Sequence, residues 1–182
     1  IAYLQAQVTK GIDEALANMK SVAQLRVASQ EQPMAGIRVQ DLFRNARNPG
    51  LLDPTISMIQ AIGEDGKPMA TLVNFACHVE SLTKGSREIS ADFPGYMCDQ
   101  IKADGGGQPV FLNGAVGGMI SGDNRERNQE SSREMGLKLA AIVKEMAKTA
   151  QPPATFAFSV DHRRLEIPMV NPNFKPLYET GL

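Results

Sequence analysis

The sequence predicts an α/β fold, a layered mixed β-sheet with flanking helices that makes up part of a domain. Three observations predict it. Apolar residues recur at helical spacing near both ends of the chain. Between those ends lie short apolar runs of strand length, interspersed with a further helical stretch. Two of the runs flank Glu64-Asp65-Gly66-Lys67, a strong short hairpin signal.

Taken in order, Ile1, Leu4, Val8, Ile12, Leu16 and Met19 recur every three or four residues and predict an amphipathic helix. Leu25 to Ala28 alternates and reads as a strand. Gln30 to Gly36 is polar, with Pro33 and Gly36, and reads as a loop. Arg38 to Pro54 reads as a long irregular segment, a length often put to functional use in compact domains. Ile56 to Ile62 and Met69 to Phe75 are the hairpin strands, joined by a two-residue turn in which Gly66 takes a positive φ. Asp92 caps a helix running to Lys102, with Pro94 tolerated in its first turn. Gly105-Gly106-Gly107 ends it, and Val110 to Leu112 is a short buried strand. Gly114 to Gly122 is a glycine-rich loop and Asp123 to Asn128 a charged one. Ser131 and Glu134 form a capping box for a helix whose apolar face is Met135, Leu139, Ile142, Val143 and Met146. Alternation of Phe156, Phe158 and Val160, then of Leu165 and Ile167, predicts a long strand from Thr155 to Pro168.

Composition narrows the function. The chain has 182 residues, the size of one domain, and is 42% apolar, enough for a core. Nineteen basic residues against twenty acidic ones leave no nucleic-acid footprint and no patch for anionic membranes. No apolar run approaches the roughly 18–20 residues that span a bilayer, so no transmembrane segment is expected. Cys77 and Cys98 do not make a disulfide framework and read as small buried hydrophobes. The first residue is Ile1 and the end carries no closing element, so the chain reads as a piece of a longer protein.

Three stretches carry a resemblance. They are Val73-Asn74-Phe75-Ala76-Cys77-His78, then Ile89-Ser90-Ala91-Asp92-Phe93-Pro94-Gly95-Tyr96, then Phe111-Leu112-Asn113-Gly114-Ala115-Val116-Gly117-Gly118. Asp53-Pro54, Gly66-Lys67-Pro68, Glu166-Ile167-Pro168, Asn171-Pro172 and Phe174 support them in the same order. Together they resemble the neutral, non-lysosomal ceramidase family, in the bacterial branch of its N-terminal catalytic domain. The resemblance covers Arg44 to Phe174 and makes residues 1–182 part of one such domain. It implies a zinc-dependent hydrolase that cleaves an N-acyl bond in a lipid amide or another small amide. It also implies an extracellular, periplasmic or membrane-associated setting. Two alternatives stay open: a non-catalytic binding or structural relative, and a metallohydrolase acting on another amide or ester.

His78 follows the second hairpin strand, where rigid backbone presents a side chain to open space. It is either a strand-end histidine satisfied by a hydrogen bond or, as the resemblance implies, a zinc ligand. The remaining ligands of the ceramidase pattern fall outside this chain, a histidine upstream and a glutamate and a tyrosine downstream. Cys77, its neighbour on a strand, points to the opposite face. Glu80 shares the face of His78 if the strand continues, as a loop carboxylate, a ligand or a base. Asp92 is a helix cap, a carboxylate orienting a ligating imidazole, or both. Backbone N–H groups at Gly117 and Gly118 could stabilise an oxyanion. The family places its serine nucleophile just after a Gly-Asp pair. Here the aspartate is replaced by Gly118 and the serine comes one residue late, which makes Ser121 either the nucleophile or a turn serine. Arg44, Asn45 and Arg47 stand at the family's Asn-Arg segment, with Arg47 taking the arginine's role or remaining a surface residue. His162, among Asp161, Arg163 and Arg164, reads as part of a polar sheet face. No phosphate loop, dinucleotide fingerprint or nucleophile elbow occurs.

Overall fold

In a computed structural model, residues 1–31, 33–82, 87, 89–117, 120–123, 126–155, 157, 159–166 and 168 are described. The elements are α1 (Ala2–Ala17), β1 (Gln24–Gln30), β2 (Phe43–Asn45), β3 (Ile56–Ile62), β4 (Pro68–Phe75), α2 (Asp92–Ala103), β5 (Gln108–Asn113), β6 (Ile120–Gly122) and α3 (Gln129–Thr149). A four-stranded sheet has the order β1-β3-β4-β5, and β2 and β6 form a separate ribbon. The pairings β1/β3 and β3/β4 are antiparallel and β4/β5 is parallel, so the sheet is mixed. The parallel step follows from α2, since a parallel neighbour needs a crossover between its strands.

Period-two burial decides which face carries the core. Ile56 and Met58 of β3 and Val73 and Phe75 of β4 are buried on one face, packed into one cluster with Met97 of α2 and Leu139, Ile142 and Met146 of α3. Gly136 permits the close crossing of α2 and α3: a Cβ there would sit 2.5 Å from the Phe93 carbonyl oxygen. The Phe43 ring meets Phe75 edge-on at 4.9 Å and ties the ribbon to the main sheet. On the other sheet face Val27, Ile59 and Val110 stand in one cross-strand row with Leu72 and remain exposed. Helix α1 forms as its periodicity predicts, yet none of its residues is buried and its apolar stripe faces outward.

Several expectations need correction. The segment 38–54 is not wholly irregular, because β2 lies within it, and the glycine-rich stretch ends in β6. The last helix begins earlier than Ser131: Asn128 is its N-cap, accepting from Ser131 N at 2.8 Å while Ser131 Oγ accepts from Asn128 N at 3.1 Å. Serine therefore sits at the third position of the box and Glu134 is not part of it. The strand expected from Thr155 to Pro168 is not formed by the described residues there, which lie exposed without a ladder; Phe156, Phe158 and Ile167 lie outside the described residues. Alternation supplies a face but not a partner strand, and a strand needs both. His162 is accordingly exposed on irregular chain rather than on a sheet. The supporting residues Asn171, Pro172 and Phe174 also lie outside the described residues.

The hairpin turn is longer than two residues. Gly63 N donates to Lys67 O at 2.9 Å and Gly66 N to Gly63 O at 3.0 Å, with a register shift at Ala61/Ile62. Gly66 does take a positive φ, 75°, with nothing within 4 Å of a Cβ placed there. Substitution at Gly66 therefore costs backbone strain and no clash. Gly66→Val is expected to lower stability by about 1–2 kcal/mol, read by denaturant unfolding. An unfolding midpoint equal to the parent's would show that the turn relaxes to another form.

Candidate functional site

The site begins where β4 ends. After Phe75 the chain leaves the sheet, and His78 makes an isolated parallel bridge with Ser121, its N–H donating to Ile120 O at 3.0 Å. Cys77 is fully buried and His78 half-buried, so adjacent residues face opposite ways as strand geometry requires. The register of β2 against β6 pairs Phe43 with Gly122, Arg44 with Ser121 and Asn45 with Ile120. Phe43, Asn45 and Ile120 turn inward, which leaves Arg44 and Ser121 together on the outer face.

Ser121 meets a carboxylate there: its hydroxyl donates to Glu80 Oε1 at 2.5 Å. Residues 41 apart in sequence thus form a hydroxyl–carboxylate pair beside the His78 backbone. A carboxylate at that distance can take the hydroxyl proton when the oxygen attacks a carbonyl carbon. Arg44 pairs loosely with Asp123, Nε to Oδ1 at 3.7 Å, and is the arginine across from Ser121. Arg47 is exposed in the turn beyond β2; its backbone N–H, at 3.0 Å, and that of Asn48, at 2.9 Å, donate to the buried Asn45 Oδ1. Asn45 also donates to Leu51 O at 3.0 Å, so its side chain holds that turn together.

Asp92 lies at the entrance of α2 with φ 55°, 6% exposed. Its Oδ1 accepts from Ser81 Oγ, from Ser132 Oγ at 3.0 Å and from Phe93 N at 2.6 Å, and its Oδ2 from Leu82 N at 3.2 Å. The N-cap position itself is Ala91, one residue earlier than expected. The carboxylate still satisfies one of the free donors at the helix start, and its other partners come from the loop after His78 and from α3. None of the donors described on it is the His78 ring. Gly117 is exposed with open space about its Cα, and Gly118 lies outside the described residues.

Among the described residues no three His, Cys, Asp or Glu side chains stand close enough together to hold a metal ion. His78 fits zinc as a single donor, half-exposed, with no described residue bonded to its ring. Cys77 does not fit. Both cysteines are free, and burial pushes the Cys77 thiol up to about 12, so it stays protonated where zinc would need a thiolate. The Glu80–Ser121 contact was out of reach of the sequence, because β2 and β6 are three residues each and too short to show a period.

The sequence matches no family model and no curated protein. Among solved structures, the chain is similar to neutral ceramidase from Pseudomonas aeruginosa, with a TM-score of 0.64 and 23% identity over 79% of this chain and 25% of that one. It is also similar to a ceramidase complexed with C2, with a TM-score of 0.62 and 22% identity over 77% of this chain and 24% of that one. The chain thus has the fold of part of a neutral ceramidase and spans about a quarter of the length of those enzymes.

Two outcomes follow from the buried groups. Asp92→Ala leaves several buried donors without an acceptor and is expected to cost about 2–4 kcal/mol. Asp92→Asn keeps one acceptor and tolerates the positive φ, so its loss should be smaller. Paired chemical denaturation curves check this, and equal losses would mean that the hydrogen bonds do not set the cost. Cys77 should resist alkylation in native protein at pH 8 while the half-buried Cys98 reacts first. Because the folded value of the Cys77 thiol lies above the unfolded one, its contribution is complete below about pH 9 and is lost as pH rises toward 12. Peptide mapping of the alkylated sites and unfolding measured across that range test both statements.

Proposed function

We propose that the chain forms part of a hydrolase of the ceramidase kind that cleaves an N-acyl amide bond in a lipid amide or another small amide. The observation that carries this reading is the meeting of Ser121, Glu80 and His78 at the carboxyl end of β4. The shared fold with neutral ceramidases supports it. In this reading the Ser121 hydroxyl attacks the amide carbon while Glu80 takes its proton and passes it to the amide nitrogen as the C–N bond breaks, and water then hydrolyses the acyl-serine. Arg44, on the same outer face as Ser121, offers a positive charge to the oxygen that becomes anionic. Arg47, one turn away, would need to swing in to play that part. His78 supplies one imidazole nitrogen to a zinc whose remaining ligands lie outside this chain. When bound, the metal would polarise the substrate carbonyl or acidify a water. Asp92 holds the loop after His78 through the Ser81 hydroxyl and the Leu82 N–H, and in this reading the N–H groups of Gly117 and Gly118 are offered to the oxyanion. No described helix is long and apolar enough to cross a membrane.

A second reading is favoured by the position of Glu80, two residues after His78 and exposed on the loop: Glu80 itself binds the metal, as in a metallohydrolase acting on other amides or esters. Variants of the full-length protein separate the two. Ser121→Ala is expected to lower kcat on an N-acyl substrate by at least about 100-fold with the melting temperature held. His78→Ala is expected to remove bound zinc, measured by elemental analysis. Glu80→Gln should lose activity and keep zinc if Glu80 is the base, and lose both if it is a ligand. Unchanged kcat in Ser121→Ala would reject the nucleophile, and full zinc retention in His78→Ala would reject the ligand.

A further inference from the structure

At the other end of β4 the helix-facing side of the sheet carries a polar row in an apolar core. The register aligns Arg26 of β1, Gln60 of β3 and Thr71 of β4. A cavity of about 310 Å³ opens over this row, walled by Ile101 of α2 and by Ala140, Val143 and Ala147 of α3. Thr71 and His78 are seven residues apart, roughly 20 Å along an extended chain, so this cavity is separate from the residues at the strand's carboxyl end.

The hydrogen bonds fix what the cavity lacks. Thr71 Oγ donates its one proton to Gly106 O at 2.7 Å. It can therefore only accept from Gln60, whose Nε2 lies 3.0 Å away, and this sets the orientation of the amide. Gln60 is 5% exposed and lines the cavity, and among the described residues nothing donates to its Oε1. A buried carbonyl oxygen without a donor is unfavourable and calls for a hydroxyl or an N–H. Beside it, Arg26 uses Nε on Gln24 Oε1 at 2.9 Å, and its two terminal nitrogens have no partner among the described residues. The neighbouring lysines are engaged, Lys144 with Asp104 at 3.2 Å and Lys148 with Glu145 at 2.7 Å. The free part of the Arg26 guanidinium suits a carboxylate.

We propose that this cavity binds a small apolar carboxylate that carries a hydroxyl or amide N–H next to its acid group, such as a 2-hydroxy acid with a short aliphatic body. The carboxylate lies on the Arg26 guanidinium, the donor on Gln60 Oε1, and the aliphatic body against Val143 and Ala147. The register sets Arg26 directly beside Gln60 on this face of the sheet, so one small ligand can meet both side chains. At the small end of the range for ligand sites, the volume suits a short chain and not a long lipid.

The test is calorimetric titration of the full-length protein with 2-hydroxyhexanoate, hexanoate and 1,2-hexanediol. Binding of 2-hydroxyhexanoate is expected, with hexanoate about tenfold weaker for want of the donor and the uncharged diol at least as weak. Arg26→Gln should weaken 2-hydroxyhexanoate about tenfold or more. Gln60→Leu should erase the preference for the hydroxy acid over hexanoate, and Ala147→Phe should fill the space and abolish binding. No binding at millimolar 2-hydroxyhexanoate means that water alone satisfies Gln60, and overturns the proposal. Equal binding of acid and diol, or full affinity in Arg26→Gln, overturns it equally. Ser121→Ala should leave every one of these affinities unchanged, which separates this site from the hydrolytic one.

Discussion

The buried carboxylate of Asp92 holds together the segments that surround the candidate site. A carboxylate removed from water must find donors, and this one finds them in three segments: Ser81 and Leu82 after the His78 turn, Phe93 in α2, and Ser132 in α3. To reach them the residue adopts φ 55°, which disfavours most side chains and which aspartate tolerates better than most. The strain is local, whereas the gain is shared by two helices and a loop. The loop leaving the sheet at His78 is thereby anchored at Ser81, within one short span of the candidate ligand.

Strand β4 is the second organising constraint. It pairs antiparallel with β3 and parallel with β5, so its two ends meet different surroundings. At the carboxyl end the parallel neighbour exits beside it, and Gly114 passes so near that a Cβ would lie 2.9 Å from that of Ala76. That close exit returns the chain through β6 to bridge His78. At the amino end the glycines after α2 bring Gly106 O onto Thr71, and the row of polar side chains lines a cavity under α3. One strand thus carries the Ser121–Glu80–His78 candidate cluster at one end and a polar cavity at the other.

Much of this was legible because it is local. Helix periodicity found α1 and α3, the Asp65-Gly66 signal found β3 and β4, and Gly66 takes the expected positive φ although the turn is longer than the two residues it was expected from. What stayed hidden depends on distant partners. Phe43–Asn45 and Ile120–Gly122 are strands only because each finds the other, and three residues cannot display a period. The same logic runs in reverse at Thr155 to Pro168, where alternation is present and the described residues find no ladder. The position of His78 just past β4 was legible from its place after an apolar run. The contact of Ser121 with Glu80 was not, since it rests on the β2–β6 ribbon and on the bridge to His78.

That dependence has a consequence for how the cluster keeps its geometry. Ser121 is held on both sides by backbone, through its register with Arg44 and its bridge to His78. Its distance to Glu80 is therefore set by the sheet frame and not by a flexible loop alone. The frame in turn is fixed by Phe43 packed on Phe75, which locks the ribbon against β4. A pair that must stay within hydrogen-bond reach to transfer a proton gains from such a mounting, because a shift of about 1 Å can cost two orders of magnitude in rate. Core packing on the inner side of the ribbon and the Ser121–Glu80 contact on its outer side are then one constraint, expressed on alternate residues of the two paired strands.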